Sequence, residues 1–305
     1  MKREIGNVAA SIQARLKNKA DESGRSFNEI LHYYGMERFL YRLSKTSHAN
    51  DFILKGGLMF YGLEIPMRRT TRDIDFLGTA ENMQQDILSL FRETMSFLVP
   101  NDGVVFDTKT LRLSQNQAEA NQGGIRITFI GYLGKVRMPI QVDVGFSDQL
   151  GSDALNIDYP VILTDMEKPH LKGYPPESII SEKLYAMIRF ADMNSRWKDY
   201  YDIYLLANTF EFESRTLVNA IKATFGNRPI KLKAEIPYGL RDGFALANQG
   251  NWEAFLYKSK LRNDALKELK VVITKVREFL EYPLHEIQSH VQTREKRWSR
   301  DSGWR

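Results

Sequence analysis

The sequence predicts an α+β fold, and three observations carry that prediction. Residues before about 50 show helical periodicity, strand patterns succeed one another between 104 and 146, and the chain beyond 176 returns to helical periodicity. Strands that follow one another directly pair through hairpins, giving a mixed or antiparallel sheet with helices before and after it. A length of 305 residues allows one large domain or two.

Composition narrows the class. A hydrophobic content of 43% with 27% charged residues is ordinary for a globular chain. The absence of cysteine excludes disulfides, thiolate zinc sites and cysteine nucleophiles. The stretch MKREIGNVAASIQARLKN lacks the continuous apolar region of a signal peptide, and no apolar run reaches the length of a membrane span; a cytoplasmic protein with no membrane partner is expected. A net charge of +5 leans modestly toward polyanionic partners. The histidines His32, His48, His170, His285 and His290 form no metal-spaced pair, and there is no Walker A, G-x-G-x-x-G or G-x-S-x-G motif.

The elements follow in order. Val8, Ile12 and Leu16 recur every four residues, an amphipathic helix over 7–20 with Asn7 as its cap. Ser26-Phe27-Asn28-Glu29 is a capping box opening a helix that buries Ile30, Leu31, Tyr34, Phe39, Leu40 and Leu43. Residues 82–98 are helical, with Ile87, Leu90, Phe91 and Met95 on one face. Strands are expected at 104–113, 125–133 and 136–146, and a short one at 159–163. Pro175-Pro176 precedes the first turn of a helix running to about Ala191, and another opens at Arg196 and runs through Leu206. Helices capped by Ser214, over 252–261 and over 264–282 complete the chain, followed by a tail in which Trp298 and Trp304 alternate with basic residues, expected to be solvated.

One stretch carries chemistry. Phe52 to Leu77 holds an apolar run, the Gly56-Gly57 pair, a short helical pattern, a basic turn and Asp73-Ile74-Asp75. In a strand, Asp73 and Asp75 share a face while Ile74 enters the core. Two carboxylates about 4 Å apart repel by roughly 4 kcal/mol at an effective dielectric near 20, so a cation is expected between them, and oxygen ligands favour Mg²⁺. The competing reading is a solvated strand edge.

Gly56-Gly57-Leu58 followed by Arg69-Thr70-Thr71-Arg72-Asp73-Ile74-Asp75-Phe76 resembles the first motif of DNA polymerase β-like nucleotidyltransferases, and more closely the AbiEii/AbiGii toxin family. Glu182-Lys183-Leu184 with Arg196-x-Lys198-Asp199-x-x-Asp202 resembles the same family again. The resemblance implies a polymerase β-like mixed sheet flanked by helices, with N-terminal helices (1–50), a catalytic core (51–165) and a helical C-terminal domain completing the NTP site (166–305). It implies a two-metal Mg²⁺ site at Asp73, Asp75 and Asp143. Asp143 shares strand parity with Gln141, so by pattern alone it could equally lie on a solvated face. The resemblance further implies nucleotide contacts from Gly56, Gly57, Arg69, Thr71, Lys183, Arg196, Lys198 and Asp202, with Lys183 and Asp199 binding and orienting the triphosphate. The implied reaction moves a nucleoside monophosphate from an NTP to an acceptor hydroxyl, a tRNA 3′ end being the expected RNA partner. The implied role is that of a toxin in a toxin–antitoxin or phage-exclusion system, with a cognate antitoxin. AMPylation of a protein, or an inactive nucleotide-binding module, are the alternatives.

Overall fold

A computed structural model describes residues 8–66, 70–79, 83–115, 124–146, 150–191, 194–226, 228–232, 235–261, 266–289 and 294–305. The chain divides into two compact units, one formed by Met1–Asp148 with Ala154–Gly173, the other by Gln149–Asp153 with Tyr174–Arg305.

The first unit is built on a seven-stranded sheet. Its strands are β1 (Phe52–Lys55), β2 (Ile74–Gly78), β3 (Val104–Gln115), β4 (Ile125–Leu133), β5 (Val136–Gly145), β6 (Leu155–Asp158) and β7 (His170–Gly173), in the order β3-β4-β5-β2-β1-β7-β6. β1 pairs parallel with β7 and β2 parallel with β5, whereas the other neighbours are antiparallel, so the sheet is mixed as expected. Helices α1 (Val8–Ser23), α2 (Phe27–Ser44), α3 (Gly56–Gly62) and α4 (Met83–Ser96) accompany it. The short strand expected at 159–163 is absent: pairing of β6 with β7 ends at Asp158, and Pro160 has no N–H to extend the ladder.

Phenylalanines tie these layers together. Phe39 of α2 lies 5.4 Å from Phe91 of α4 and 5.0 Å from Phe129 of β4, and Phe52 of β1 lies 5.2 Å from Phe76 of β2 and 6.1 Å from Phe91. Such offset and edge contacts add about 0.5–1.5 kcal/mol per pair beyond the area they bury. α2 is buried nearly all round, including the charged Glu37, Arg38 and Arg42. Arg42 grips Asp102 with two hydrogen bonds of 2.7 and 3.2 Å and donates a third, of 2.9 Å, to the Val104 carbonyl. Only half of the capping box forms. Ser26 accepts from the Glu29 amide, but the Glu29 carboxylate turns to Arg25 and Thr70.

The second unit is helical: α5 (Pro176–Phe190), α6 (Trp197–Thr209), α7 (Ser214–Gly226), α8 (Asp242–Ala247), α9 (Gln249–Lys258) and α10 (Leu269–Ser289). α10 continues past the expected end at Tyr282, straight through Pro283. A proline cannot donate to the carbonyl four residues back, and here that carbonyl, on Phe279, accepts from Trp304 Nε1 at 2.8 Å. The tail is therefore ordered rather than solvated. β9 (Arg297–Ser299) and β10 (Gly303–Trp304) form a hairpin, and β9 pairs with the two-residue β8 (Phe212–Glu213). Trp298 is buried and donates to the Ala207 carbonyl at 2.8 Å.

Trp304→Phe keeps the ring but leaves the Phe279 carbonyl unpaired, so urea unfolding should show a loss of about 1–3 kcal/mol. In a Pro283→Ala background, where an amide can return to that carbonyl, the same change should cost less. Glu37, wholly buried, is pushed up from 4.5 to about 7 by burial, which outweighs its pair with Arg38 and the Ile162 amide. Between those pH values the native carboxyl keeps a proton that the unfolded chain releases. Stability should therefore fall by about 3 kcal/mol as pH rises through that window. Thermal melts of Glu37→Gln should lack that component.

Candidate active site

Strand register assembles the site in the first unit. Lys55 of β1 lies opposite Asp75 of β2, Asp75 opposite Asp143 of β5, and Asp143 opposite Arg126 of β4. Residues directly opposed across a ladder share a face, so these four side chains form one row across four strands. Their sequence neighbours Leu54, Ile74, Phe76, Val142 and Val144 take the other face and are fully buried. That alternation anchors the row, because a slip of one residue would drive the charges into the core.

Asp73 precedes β2 with the parity of Asp75, and one oxygen from each of Asp73, Asp75 and Asp143 lies within 4.8 Å of the others. Like charges at that separation repel by about 3–4 kcal/mol per pair at an effective dielectric near 20. Asp143 is buried, not on the solvated face that its parity with Gln141 left open, and Gln141 donates to it at 3.3 Å. Arg126 answers part of the charge: Nε and Nη2 each lie 2.8 Å from a different oxygen of Asp143. The hydrogen bonds it donates to Asp143, with the negative charges of Asp143, Asp73 and Asp75, hold this guanidinium above its ordinary pKa. Sequence reading missed Arg126 and Lys55. The signal for Arg126 was present in the tight Gly134-Lys135 turn, which pairs Leu133 with Val136 and, counted back along both strands, Arg126 with Asp143.

The glycine pair has a steric reason. Gly56 has φ +68°, and a Cβ there would lie 1.9 Å from Asp75 Oδ2; at Gly57 a Cβ would lie 2.3 Å from Thr71 Oγ1. The carboxylate and the hydroxyl occupy the space the missing side chains leave. Thr71 is buried, and its amide donates to Tyr33 Oη at 2.7 Å. Thr70 donates to Glu29 at 3.0 Å, and His32 Nε2 lies 2.9 Å from the Arg72 carbonyl. One face of α2 thus fixes the three residues leading into Asp73. Arg69 lies outside the described residues.

In the second unit, Lys183 of α5 donates to Asp199 at 3.0 Å and to Asp202 at 2.7 Å, and Arg196 donates to Asp199 at 2.7 Å. A spacing of three would set the two aspartates side by side on the surface of a lone helix, but both are buried because α5 packs over that face of α6. Burial disfavours the charged form of Asp199, yet Lys183 and Arg196 overcome it and hold the carboxyl below its ordinary value. Lys198 is exposed. Three basic residues outside this cluster are engaged within the unit: Arg228 lies 4.6 Å from the Tyr185 ring, Lys231 reaches the last carbonyls of α7, and Arg297 pairs with Glu213.

The donor set of the first unit suits a hard divalent cation. It is all oxygen and all carboxylate, with the Asp75 carboxylate seated in the space that a Cβ at Gly56 would take. Gly56→Ala should cost about 1–2 kcal/mol from the left-handed backbone alone. Because Asp75 must also move, thermal melting should show more than that, and the variant should lose whatever affinity for Mn²⁺ the wild type has.

No curated protein matches the chain at a significant level. Among solved structures, a candidate nucleotidyltransferase from H. pylori matches with 14% identity and a TM-score of 0.48, covering 88% of this chain and 100% of that one. JHP933 from Helicobacter pylori matches with 13% identity and a TM-score of 0.50, covering 87% and 95%. At such identity the likeness to JHP933 concerns the fold alone. The family model for the nucleotidyl transferase AbiEii toxins of type IV toxin–antitoxin systems matches residues 38–282, a span that contains both clusters, and the chain therefore belongs to that nucleotidyltransferase family.

Proposed function

We propose that this nucleotidyltransferase is Mg²⁺-dependent, that Asp73, Asp75 and Asp143 form its metal site, and that its acceptor is the 3′ end of a tRNA. The three-carboxylate row in a chain of this family carries the reading. Asp73 and Asp75, fixed by α2 and by the glycine turn, would hold the cations. Bound there, Mg²⁺ would neutralise charge on the triphosphate as pyrophosphate departs.

In the proposed reaction the acceptor hydroxyl oxygen bonds to the α-phosphorus and the bond from that phosphorus to the pyrophosphate oxygen breaks. Asp143 orients the acceptor and receives the hydroxyl proton. Gly56 and Gly57 let the backbone approach the phosphates, with Thr71 beside them. Lys183 and Arg196, braced by Asp199 and Asp202, would bind the triphosphate as point charge and planar fork, with Lys198 as an exposed additional cation. The positive net charge supports a polyanionic acceptor, although Trp298 and Trp304 are committed to the fold and do not offer free stacking faces. The family's place in toxin–antitoxin systems supports the toxin role, a cognate antitoxin and a part in abortive infection. Among the described residues no helix is long and apolar enough to cross a membrane, in keeping with action in the cytoplasm.

Asp73→Asn and Asp75→Asn should abolish transfer from α-labelled NTP, a loss of more than about a thousandfold, with far-UV circular dichroism unchanged. Label should appear in the tRNA of a total-RNA mixture and map to 3′ ends on sequencing. Undiminished transfer by either variant would overturn the metal site. Label in protein instead of RNA would overturn the acceptor.

A further inference from the structure

We propose that Tyr33 is a positioning residue for the cation site, holding Asp73 in place through the backbone of Thr71. The inference rests on the metal-site reading above and deepens it, by assigning the support of one ligand to α2.

Strand register places Asp75 and Asp143, but it does not place Asp73. The pairing of β2 with β5 begins at Ile74 and Val142, so Asp73 stands one residue ahead of the ladder. Its position is set by the residues leading into it, 70–72, and α2 grips each of these in turn. The Thr70 hydroxyl donates to Glu29 at 3.0 Å, and the Thr71 amide donates to Tyr33 Oη at 2.7 Å. His32 Nε2 lies 2.9 Å from the Arg72 carbonyl, which can only accept. Positions i, i+3 and i+4 are neighbours on one helix face, so three contacts from a single element fall on three consecutive residues. The middle contact is the deepest: Tyr33 is 3% exposed and Thr71 7%. A buried backbone N–H needs a partner, and the hydroxyl of Tyr33 fixes the direction in which this one points, two residues before Asp73. On its other side Thr71 is seated against the glycine turn, where a Cβ on Gly57 would come 2.3 Å from its Oγ1. Thr71 is therefore clamped between α2 and the turn that seats the Asp75 carboxylate against Gly56. Removing the Tyr33 hydroxyl opens the clamp on one side, and the displacement passes to Asp73, whose place the ladder does not restore.

Tyr33→Phe keeps the ring and removes the acceptor. Mn²⁺ titration followed by electron paramagnetic resonance, well below the melting temperature of either protein, should show binding about 10-fold weaker than in the wild type. With α-labelled NTP, kcat should fall by a similar factor while KM for the RNA acceptor stays unchanged. Hydrogen exchange should find the Thr71 amide protected in the wild type and fast in the variant. A Tyr33→Phe protein that melts lower yet binds Mn²⁺ as the wild type does has lost a fold contact only. That result overturns the role of Tyr33 and, where the wild type transfers label, leaves the transferase reading standing. Rapid exchange of the Thr71 amide in the wild type overturns it as well, whether or not the variant folds. A wild type that neither binds Mn²⁺ nor transfers label overturns both readings.

Discussion

The parallel pairing of β2 with β5 is the constraint on which the rest of the first unit depends. It sets Asp75 directly opposite Asp143, an arrangement that like charges oppose. What holds it lies on the reverse of the same strands. Ile74, Phe76, Val142 and Val144 are all fully buried there, and Phe76 joins the ring cluster through Phe52. At roughly 1.5–3 kcal/mol per fully buried large apolar side chain, that face outweighs the repulsion on the other. The carboxylates are close because the core demands the register, and the register tolerates no slip.

The same logic explains which parts of the fold were legible in sequence. Strand alternation in 125–133 and 136–146, and the capping signal at Ser26, are local, and the elements they announce formed within a residue or two. Asp73 and Asp75 could be read because their spacing of two is itself the strand period. Gly56 and Gly57 could be read only as a pattern; the reason for them, a carboxylate and a threonine hydroxyl pressed against their Cα atoms, depends on a contact across some fifteen to twenty residues of chain.

What stayed hidden depends on partners distant in sequence. Pro283 reads as a helix stop until Trp304 is seen to donate to the carbonyl it strands, and the tail reads as solvated for the same reason. Glu29 reads as the second half of a capping box until Thr70 and Arg25 claim it. Asp199 and Asp202 read as surface charges because nothing in α6 alone shows that α5 brings Lys183 over them. Arg126 is the intermediate case, fixed by a two-residue turn whose register could have been counted.

The two charged clusters of the chain differ in a way that separates scaffold from site. Around α5 and α6, two aspartates meet Lys183 and Arg196; both acids are buried and the named charges balance. Burying ionised carboxylates is tolerable on those terms, and removing either cation would leave an acid in a desolvated space. In the sheet, three carboxylates converge, and Arg126, which grips Asp143, is the more exposed partner of that pair. A cluster that merely held the fold together would have no reason to keep Asp73 and Asp75 partly exposed while the buried acid takes the arginine. The convergence of acids is local, sits on the face that the core leaves open, and has the oxygen-only chemistry of a hard cation site. That contrast, more than the proximity of the acids alone, is the physical ground for placing the chemistry at the sheet. The α5–α6 cluster, by the same measure, is balanced within itself.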